Sequence, residues 1–214
     1  MEASSKDRMP LGDARARRFR GEDSSRPTDA AEQALLRRVA GGDREAFREL
    51  YVGYHLRLAR FLTRLTRRFD VAEEIINDTL WVVWRKAPEF RGGSKVSTWI
   101  MGIAYRRALK TLRRLNLGSQ VPLGDESAAT VERDAAHDET GDLRDWLDQA
   151  LIQLPADQRL VIELTYYQGL SCAEVAQVTD CPVNTVKTRM FHARRKLRLL
   201  LPRLDGSAGG THTP

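Results

Sequence analysis

The chain loses its apolar periodicity between Leu115 and Gly141, and this interruption restricts the folds open to it. On both sides, apolar residues recur at three-and-four spacing, the pattern of amphipathic helices. The interruption holds six acidic residues against a single Arg, with Pro122 among them. No stretch shows the sustained period-two alternation that would indicate strands. The sequence therefore predicts an all-α protein, with two small helical domains joined by a flexible acidic linker at residues 115–141.

The two domains are predicted at residues 28–114 and 142–204. Residues 1–27 mix Ser, Gly, Pro and Arg without an apolar period, so they cannot bury enough surface to offset the entropy of ordering. We expect them to form a disordered arm. The Gly, Ser and Thr content of residues 205–214 predicts a disordered tail.

Four helices are predicted in the first domain. Asp29 and Glu32 have capping-box spacing at the start of the first helix, Gly41 follows its end, and Asp43 caps the second. The polar face of the second helix is rich in arginine, including Arg57 and Arg64. The second, third and fourth helices are expected at residues 44–68, 71–86 and 98–114.

Charge is segregated along the chain. Lys and Arg number 35 against 29 for Asp and Glu, which gives a formal net charge of +6. Seven basic residues and no acidic one lie between Asn184 and Arg203, opposite in sign to the linker. Such segregation favours contact with nucleic acid over a uniformly solvated surface.

Cys172 and Cys181 are too few for a disulfide framework, so we expect free thiols. A pairing of the two, or a metal site that includes His192, is the alternative, although no CxxC motif accompanies them. No stretch resembles a secretory signal or a membrane span. The expectation is a cytoplasmic protein without membrane insertion.

The second domain contains a helix-turn-helix pattern. Ser171 and Glu174 have capping-box spacing, residues 180–182 break the helix, and a second helix follows whose apolar face includes Val186. Polar and basic side chains on the opposite face and its flanks suit base edges and phosphates. They are Asn184, Thr185, Lys187, Thr188, Arg189, His192 and Arg195. The alternative is an ordinary helical hairpin with a solvated basic face.

The third helix of the first domain has an unusual polar face. Glu74, Asp78, Trp81 and Arg85 lie opposite its core face. A large exposed aromatic beside charges is typical of protein interfaces, where Trp and Arg carry much of the binding energy. This face is therefore a predicted protein-binding surface, unless Trp81 folds under a neighbouring helix.

The fourth helix combines an aromatic with cations. Trp99 and Ile103 are placed among the basic residues, and Tyr105 on the apolar face. Unpaired DNA is bound in this way, because bases stack on the ring while cations hold phosphates. The loop over residues 90–97 could receive a base turned out of the duplex. The predicted site comprises Arg91, Ser94, Lys95, Trp99, Arg106, Arg107, Lys110 and Arg114, with a core role for Trp99 as the alternative.

The order of these motifs resembles extracytoplasmic-function sigma factors of the sigma-70 family. The run from Asp70 to Trp84 is followed by Phe90-Arg91 and Ser97-Thr-Trp99 in the first domain. In the second, Leu154-Pro155, Glu174-Val-Ala176, Cys181-Pro182 and Thr185-Val-Lys-Thr-Arg189 agree with the same family. The resemblance covers about residues 30–204.

The resemblance implies that the chain binds core RNA polymerase and promoter DNA. The helix with Glu74, Asp78 and Trp81 would bind the polymerase, the Phe90 to Arg114 segment would open the minus-ten element, and the helix from Asn184 would read the minus-thirty-five element. An anti-sigma factor that masks both domains is the family's usual partner. No cofactor, metal or catalytic residue is expected.

Several positions depart from the family's common pattern. Tyr105-Arg106 stands where Arg-Asn is frequent, Asp180 and Asn184 each replace Gly, and Trp81 replaces an aliphatic residue. Asp is acceptable in the turn because it adopts the left-handed conformation more easily than most residues.

Two other classes of protein share part of these features. A stand-alone helix-turn-helix regulator would need a sensor domain upstream, and residues 30–114 show no βα alternation. A nucleic-acid enzyme would need a phosphate loop, clustered carboxylates or metal ligands, and the sequence has no GxxxxGK or HExxH motif.

Overall fold

The computed structural model describes residues 28–118 and 147–205, which contain helices and short turns without a strand. This confirms the all-α prediction for these ranges. The predicted arm, most of the predicted linker and the residues after 205 lie outside them. The first domain contains α1 (Asp29–Ala40), α2 (Arg44–Thr66), α3 (Phe69–Lys86), a short 3-10 turn (Ala87–Glu89) and α4 (Val96–Gly118).

The second domain is described from residue 147. Its helix α5 ends at residue 152. Helix α6 (Ala156–Ile162) continues directly into a π-helical turn, Glu163–Tyr167. The remaining helices are α7 (Cys172–Thr179) and α8 (Val183–Asp205). Their breaks fall where Pro155, Gly169 and Asp180 interrupt the sequence periodicity.

Helix α4 is longer at both ends than the sequence predicts. It begins at Val96, which is fully buried, and it continues past Arg114 to Gly118. Leu115 packs against the core, and no Pro or Gly intervenes before residue 118. Apolar packing therefore extends the helix into residues that the acidic composition had assigned to the linker.

Two of the three predicted N-terminal caps are confirmed. The Asp43 carboxylate accepts a hydrogen bond from the Ala46 amide at 3.0 Å, and Ser171 forms a full capping box with Glu174. The capping box at Asp29 is wrong. Thr28 caps α1 instead, since its hydroxyl oxygen accepts a hydrogen bond from the Ala31 amide at 3.3 Å, and the Glu32 carboxylate accepts a hydrogen bond from the Tyr54 hydroxyl at 2.7 Å.

The core of the first domain forms where α2, α3 and α4 meet. Phe61 and Leu62 of α2, Ile76 of α3 and Met101 of α4 are among its fully buried side chains. Burying one such side chain contributes about 1.5 to 3 kcal/mol. Helix α4 also packs against α7, so the first domain contacts the helix-turn-helix directly.

The helix-turn-helix has the predicted geometry. Asp180 adopts the left-handed conformation at φ 53°, and its amide bonds to the carbonyl of Ala176 at the end of α7. Helix α8 begins two residues after Cys181, with Val186 and Met190 buried against the rest of the domain. The opposite face of α8 is left to solvent.

We expect Phe61→Ala to lower the free energy of unfolding by about 3 to 5 kcal/mol, because Phe61 is 1% exposed and its loss leaves a cavity. Phe69→Ala is the matched control, since Phe69 is 67% exposed and should change stability by less than about 0.5 kcal/mol. Urea unfolding followed by circular dichroism measures both. Equal effects of the two variants would contradict the assigned core.

Candidate nucleic-acid interface

Basic side chains line one side of α4. Arg106, Lys110, Arg113 and Arg114 are exposed and, with Leu109, surround a shallow groove of about 490 Å³. Arg113 was not among the predicted site residues, although its spacing of three from Lys110 and seven from Arg106 places it on the same helix face. The groove can hold a polyanion.

Arg106 depends on a glycine one turn earlier. A Cβ atom on Gly102, which is buried, would lie 3.3 Å from the Arg106 Nη1 atom. The guanidinium of Arg106 therefore folds back over the α4 backbone, a position that the small residue permits.

Trp99 is half-buried near the start of α4. Its ring lies 5.1 Å from the ring of Phe90, tilted by 50°, and it packs against the core. The two predicted roles of Trp99 are therefore not exclusive, since one part of the ring is held and another is open. Ile103 was predicted among the cations, which is wrong. It is 6% exposed, because α4 is covered by the other helices of its domain and by α7.

The loop before α4 carries the remaining predicted DNA contacts of the first domain. Arg91 is exposed, and Gly92 turns the loop with φ 73°. Ser94 donates a hydrogen bond to the carbonyl of Lys95. The Lys95 Nζ atom lies 2.9 Å from the Glu174 carboxylate of the second domain, so this cation already has a partner.

The predicted protein-binding face of α3 is exposed. Trp81 is 60% exposed, and Glu74, Asp78 and Arg85 are exposed beside it. This confirms that Trp81 does not fold under a neighbouring helix.

Two acids of that face pair with α4. Arg114 lies 3.2 Å from Glu74 and Arg107 lies 3.7 Å from Asp78. The two faces, which the sequence treats as separate sites, are thus joined by ion pairs. Exposed pairs of this kind contribute about 0 to 1 kcal/mol each.

The outer face of α8 carries most of the predicted contacts of the second domain. Asn184, Lys187, Thr188, His192 and Arg195 are exposed. Thr188 donates its hydroxyl proton to the carbonyl of Asn184 at 3.0 Å, which leaves its oxygen as an acceptor.

Phe191 belongs to the same face and was missed. It is 62% exposed, and its ring lies 5.5 Å from that of His192. Its spacing of seven from Asn184 and three from Thr188 would have placed it there, had the search not been limited to polar residues. An exposed aromatic among cations and amides can make apolar contact with a thymine methyl group.

Arg189 and Thr185 are less accessible than predicted. Thr185 is half-buried, and the Arg189 Nε atom lies 3.0 Å from the Asp157 carboxylate. The Arg189 guanidinium also lies 4.0 Å from the Cys181 thiol, which is free, as is Cys172. Arg189 is therefore held by its own domain, at the edge of the basic face.

Within the described ranges, no group of three or more His, Cys, Asp and Glu side chains could hold a metal ion. In the same ranges, none of the helices has the length and apolar content of a membrane span. The chemistry of the surface is that of cations, amides and exposed aromatics.

Two family models match the chain, one in each domain. Residues 50–117 match the model described as sigma-70 region 2, and residues 144–197 match sigma-70, region 4. The first match includes α3 and α4, and the second includes the helix-turn-helix.

Curated proteins and a solved structure are similar over most of their lengths. The chain is 37% identical to the ECF RNA polymerase sigma factor SigK of Mycobacterium tuberculosis, over 77% of this chain and 90% of SigK. It is 30% identical to the RNA polymerase sigma-H factor of Pseudomonas aeruginosa, over 79% and 93%. The sigma factor RpoE of Bartonella quintana, solved with the anti-sigma factor NepR, matches with TM-score 0.61 and 29% identity, over 73% and 96%.

We expect Arg195→Ala to flatten the salt dependence of binding to mixed-sequence duplex DNA. The slope of log K against log salt should fall in magnitude by about 0.9, the value for one lost phosphate contact. Arg48→Ala is the control, because Arg48 is also exposed but lies on α2 rather than on α4 or α8. Fluorescence anisotropy across a salt series measures both, and an identical slope for the two variants would remove Arg195 from the interface.

Proposed function

The chain belongs to the extracytoplasmic-function sigma factors of the sigma-70 family, and from this premise we propose which of its side chains bind polymerase and which bind the promoter. As a sigma factor, it directs RNA polymerase to promoters. The observation that carries the proposal is the difference in composition between the exposed faces: cations line α4 and α8, whereas α3 exposes Trp81 beside carboxylates.

Core RNA polymerase binds the face of α3. Trp81 is its central contact, because an exposed Trp among charges has the composition of an interface hot spot. Glu74 and Asp78 offer carboxylates and Arg85 a guanidinium on the same side of the helix. The exposure of this face on a helix whose other side is packed supports the assignment.

The minus-ten element binds the loop and basic groove of the first domain. The Trp99 ring packs against the Phe90 ring and presents its exposed part to an unpaired base. Cations along the loop and the groove hold the phosphates. They are Arg91, Lys95, Arg106, Arg107, Lys110, Arg113 and Arg114, with Ser94 as a polar contact.

The minus-thirty-five element binds α8 in the major groove. Asn184 and Thr188 reach base edges, Phe191 contacts a thymine methyl group, and the remaining polar and basic residues hold phosphates. Those residues are Thr185, Lys187, Arg189, His192 and Arg195. The ion pair with Asp157 holds the Arg189 guanidinium in position in the absence of DNA.

The polymerase supplies the catalytic chemistry of transcription, and this chain acts as a binding subunit without a cofactor. Its place of action is the cytoplasm. An anti-sigma factor is its regulatory partner. The similarity to a sigma factor solved with the anti-sigma factor NepR supports this partner class. The match of the first domain to sigma-70 region 2 favours this function over a stand-alone regulator.

Co-elution with core polymerase, together with run-off transcription from a promoter found by genomic selection, tests the function. Failure of the purified chain to bind core polymerase would contradict it.

We expect Trp81→Ala and Trp99→Ala to separate the two roles. Trp81→Ala should weaken binding to core polymerase about thirtyfold, as loss of a hot spot does. Trp99→Ala should bind core polymerase normally and slow promoter opening about tenfold, within the range for loss of one stacked base. Each variant is the control for the other, and thermal unfolding checks that both remain folded. Normal opening by Trp99→Ala would return Trp99 to a purely structural role.

A further inference from the structure

Two glycines of the first domain lie inside helices. Gly53 is an interior residue of α2, and Gly102 is an interior residue of α4. A glycine at such a position is less favourable than an alanine, because its backbone loses more conformational freedom on folding. Neither residue has a positive φ angle, so the backbone conformation does not require a glycine at either position.

The surroundings of the two glycines differ. Gly53 is exposed, and a Cβ atom there would meet no atom within 4 Å. Gly102 is buried, and a Cβ atom there would lie 3.3 Å from Nη1, 3.5 Å from Nη2 and 3.7 Å from Cζ of Arg106. Because three atoms of one planar group lie at similar distances, the guanidinium faces the glycine broadly and not with a single corner.

The Arg106 guanidinium has no carboxylate to hold it. Within the part of the chain that the structure describes, it makes no ion pair or hydrogen bond, whereas the guanidinium of the adjacent Arg107 lies 3.7 Å from the Asp78 carboxylate. Packing on Gly102 therefore sets the position of the Arg106 guanidinium. The N–H donors of this group are not used by any other described residue.

This position brings the cation towards Trp99. Gly102 precedes Arg106 by four residues, so the guanidinium lies on the Trp99 side of its own Cα atom. Gly102 follows Trp99 by three residues, which is about 4.5 Å along the helix axis. That rise is comparable with the roughly 3.4 Å per nucleotide along one strand of DNA. A base stacked on Trp99 would therefore have its own phosphate within reach of Arg106.

A guanidinium in this position suits a phosphate. Its planar fork matches two phosphate oxygens and forms charge-assisted hydrogen bonds with them. An arginine that is already held against its helix also loses less side-chain entropy when the ligand binds. Gly102 can therefore strengthen DNA binding without touching DNA.

We propose that Gly102 is a positioning residue for promoter opening: its missing side chain lets the Arg106 guanidinium lie against α4 beside Trp99, where it binds the phosphate of the nucleotide whose base stacks on Trp99. The phosphate contact rests on the function proposed above, whereas the packing of Arg106 on Gly102 does not. The helix loses the stability that an alanine would add, and in exchange it holds a cation next to the stacking ring.

Thermal unfolding of the free full-length chain tests the packing. Gly53→Ala should raise Tm by about 4 °C, as expected for an unobstructed helix interior. Gly102→Ala should raise Tm by at least about 2 °C less, because the new Cβ atom presses on the guanidinium. In an Arg106→Ala background the same substitution should give the full gain. Equal gains in the two backgrounds would overturn the packing.

Promoter opening by the holoenzyme tests the role in DNA binding. Arg106→Ala should slow opening about tenfold, on the scale of one lost charge-assisted hydrogen bond. Gly102→Ala should slow it about threefold, because the displaced guanidinium keeps its charge and loses part of its geometry. Gly53→Ala is the matched control and should open the promoter at the parent rate. A fluorescent base analogue in the minus-ten element measures the rate, and normal opening by Gly102→Ala would overturn the proposal.

The double variant tests whether Gly102 acts through Arg106. In the Arg106→Ala background, Gly102→Ala should slow opening no further, since no guanidinium remains to be displaced. A further threefold loss would show that the glycine acts by another route, and would overturn its positioning role.

The same measurements separate this proposal from the proposed function. If the parent chain does not bind core polymerase or open a promoter, the sigma function fails before any variant is made, and thermal unfolding still decides whether Arg106 packs on Gly102. If Arg106→Ala opens the promoter at the parent rate while Trp99→Ala is slow, the function stands and the phosphate contact of Arg106 is overturned.

Discussion

Helix α4 is the element on which both domains depend. Ile100, Met101 and Ala104 are fully buried and fix α4 in the core of the first domain, while α7 of the second domain packs along it. Burial of one large apolar side chain is worth about 1.5 to 3 kcal/mol, against about 0 to 1 kcal/mol for an exposed ion pair. The apolar packing therefore determines the positions of the cations on α4, and the weaker ion pairs form between side chains that this packing has already placed.

The ion pairs connect two faces to which we assign different partners. Glu74 and Asp78 of α3 hold Arg114 and Arg107 of α4. A carboxylate that is engaged by a polymerase cation holds its arginine less strongly, which leaves the guanidinium available to a phosphate. Because the pairs are exposed, such an exchange involves little desolvation. Under the proposed assignments, this exchange would couple polymerase binding at α3 to DNA binding at α4.

The sequence was sufficient for features that depend on neighbours along the chain. These features include the helical periodicity, the Asp43 cap, the Ser171 capping box and the left-handed conformation of Asp180. They also include the position of Trp81 on the solvent-exposed face of α3. The failures involve contacts between distant segments. The Glu32 carboxylate accepts a hydrogen bond from the Tyr54 hydroxyl instead of capping its own helix. Ile103 is buried by neighbouring helices, and the positions of those helices do not follow from the angular spacing of residues on α4.

The same limit applies to the basic residues. A run of cations predicts an anionic partner, but it does not say whether that partner is DNA or a carboxylate of the same chain. Arg189 and Lys95 were predicted as DNA contacts, and each lies within 3.0 Å of an internal carboxylate. Arg113 and Phe191, in contrast, could have been found from helical spacing alone.

The Glu174 side chain makes both a local contact within its own helix and a contact with the other domain. Its Oε2 atom accepts the Ser171 amide at 2.7 Å and completes the capping box, while its Oε1 atom faces Lys95 and Thr98. Burial raises the pKa of this carboxyl, but the Ser171 and Lys95 donors outweigh it, so the pKa lies below its ordinary value. The carboxylate therefore stays ionised at neutral pH. Because a glutamine amide oxygen can also accept the Ser171 amide, the cap alone does not require the charge, and only the contact with the other domain uses it.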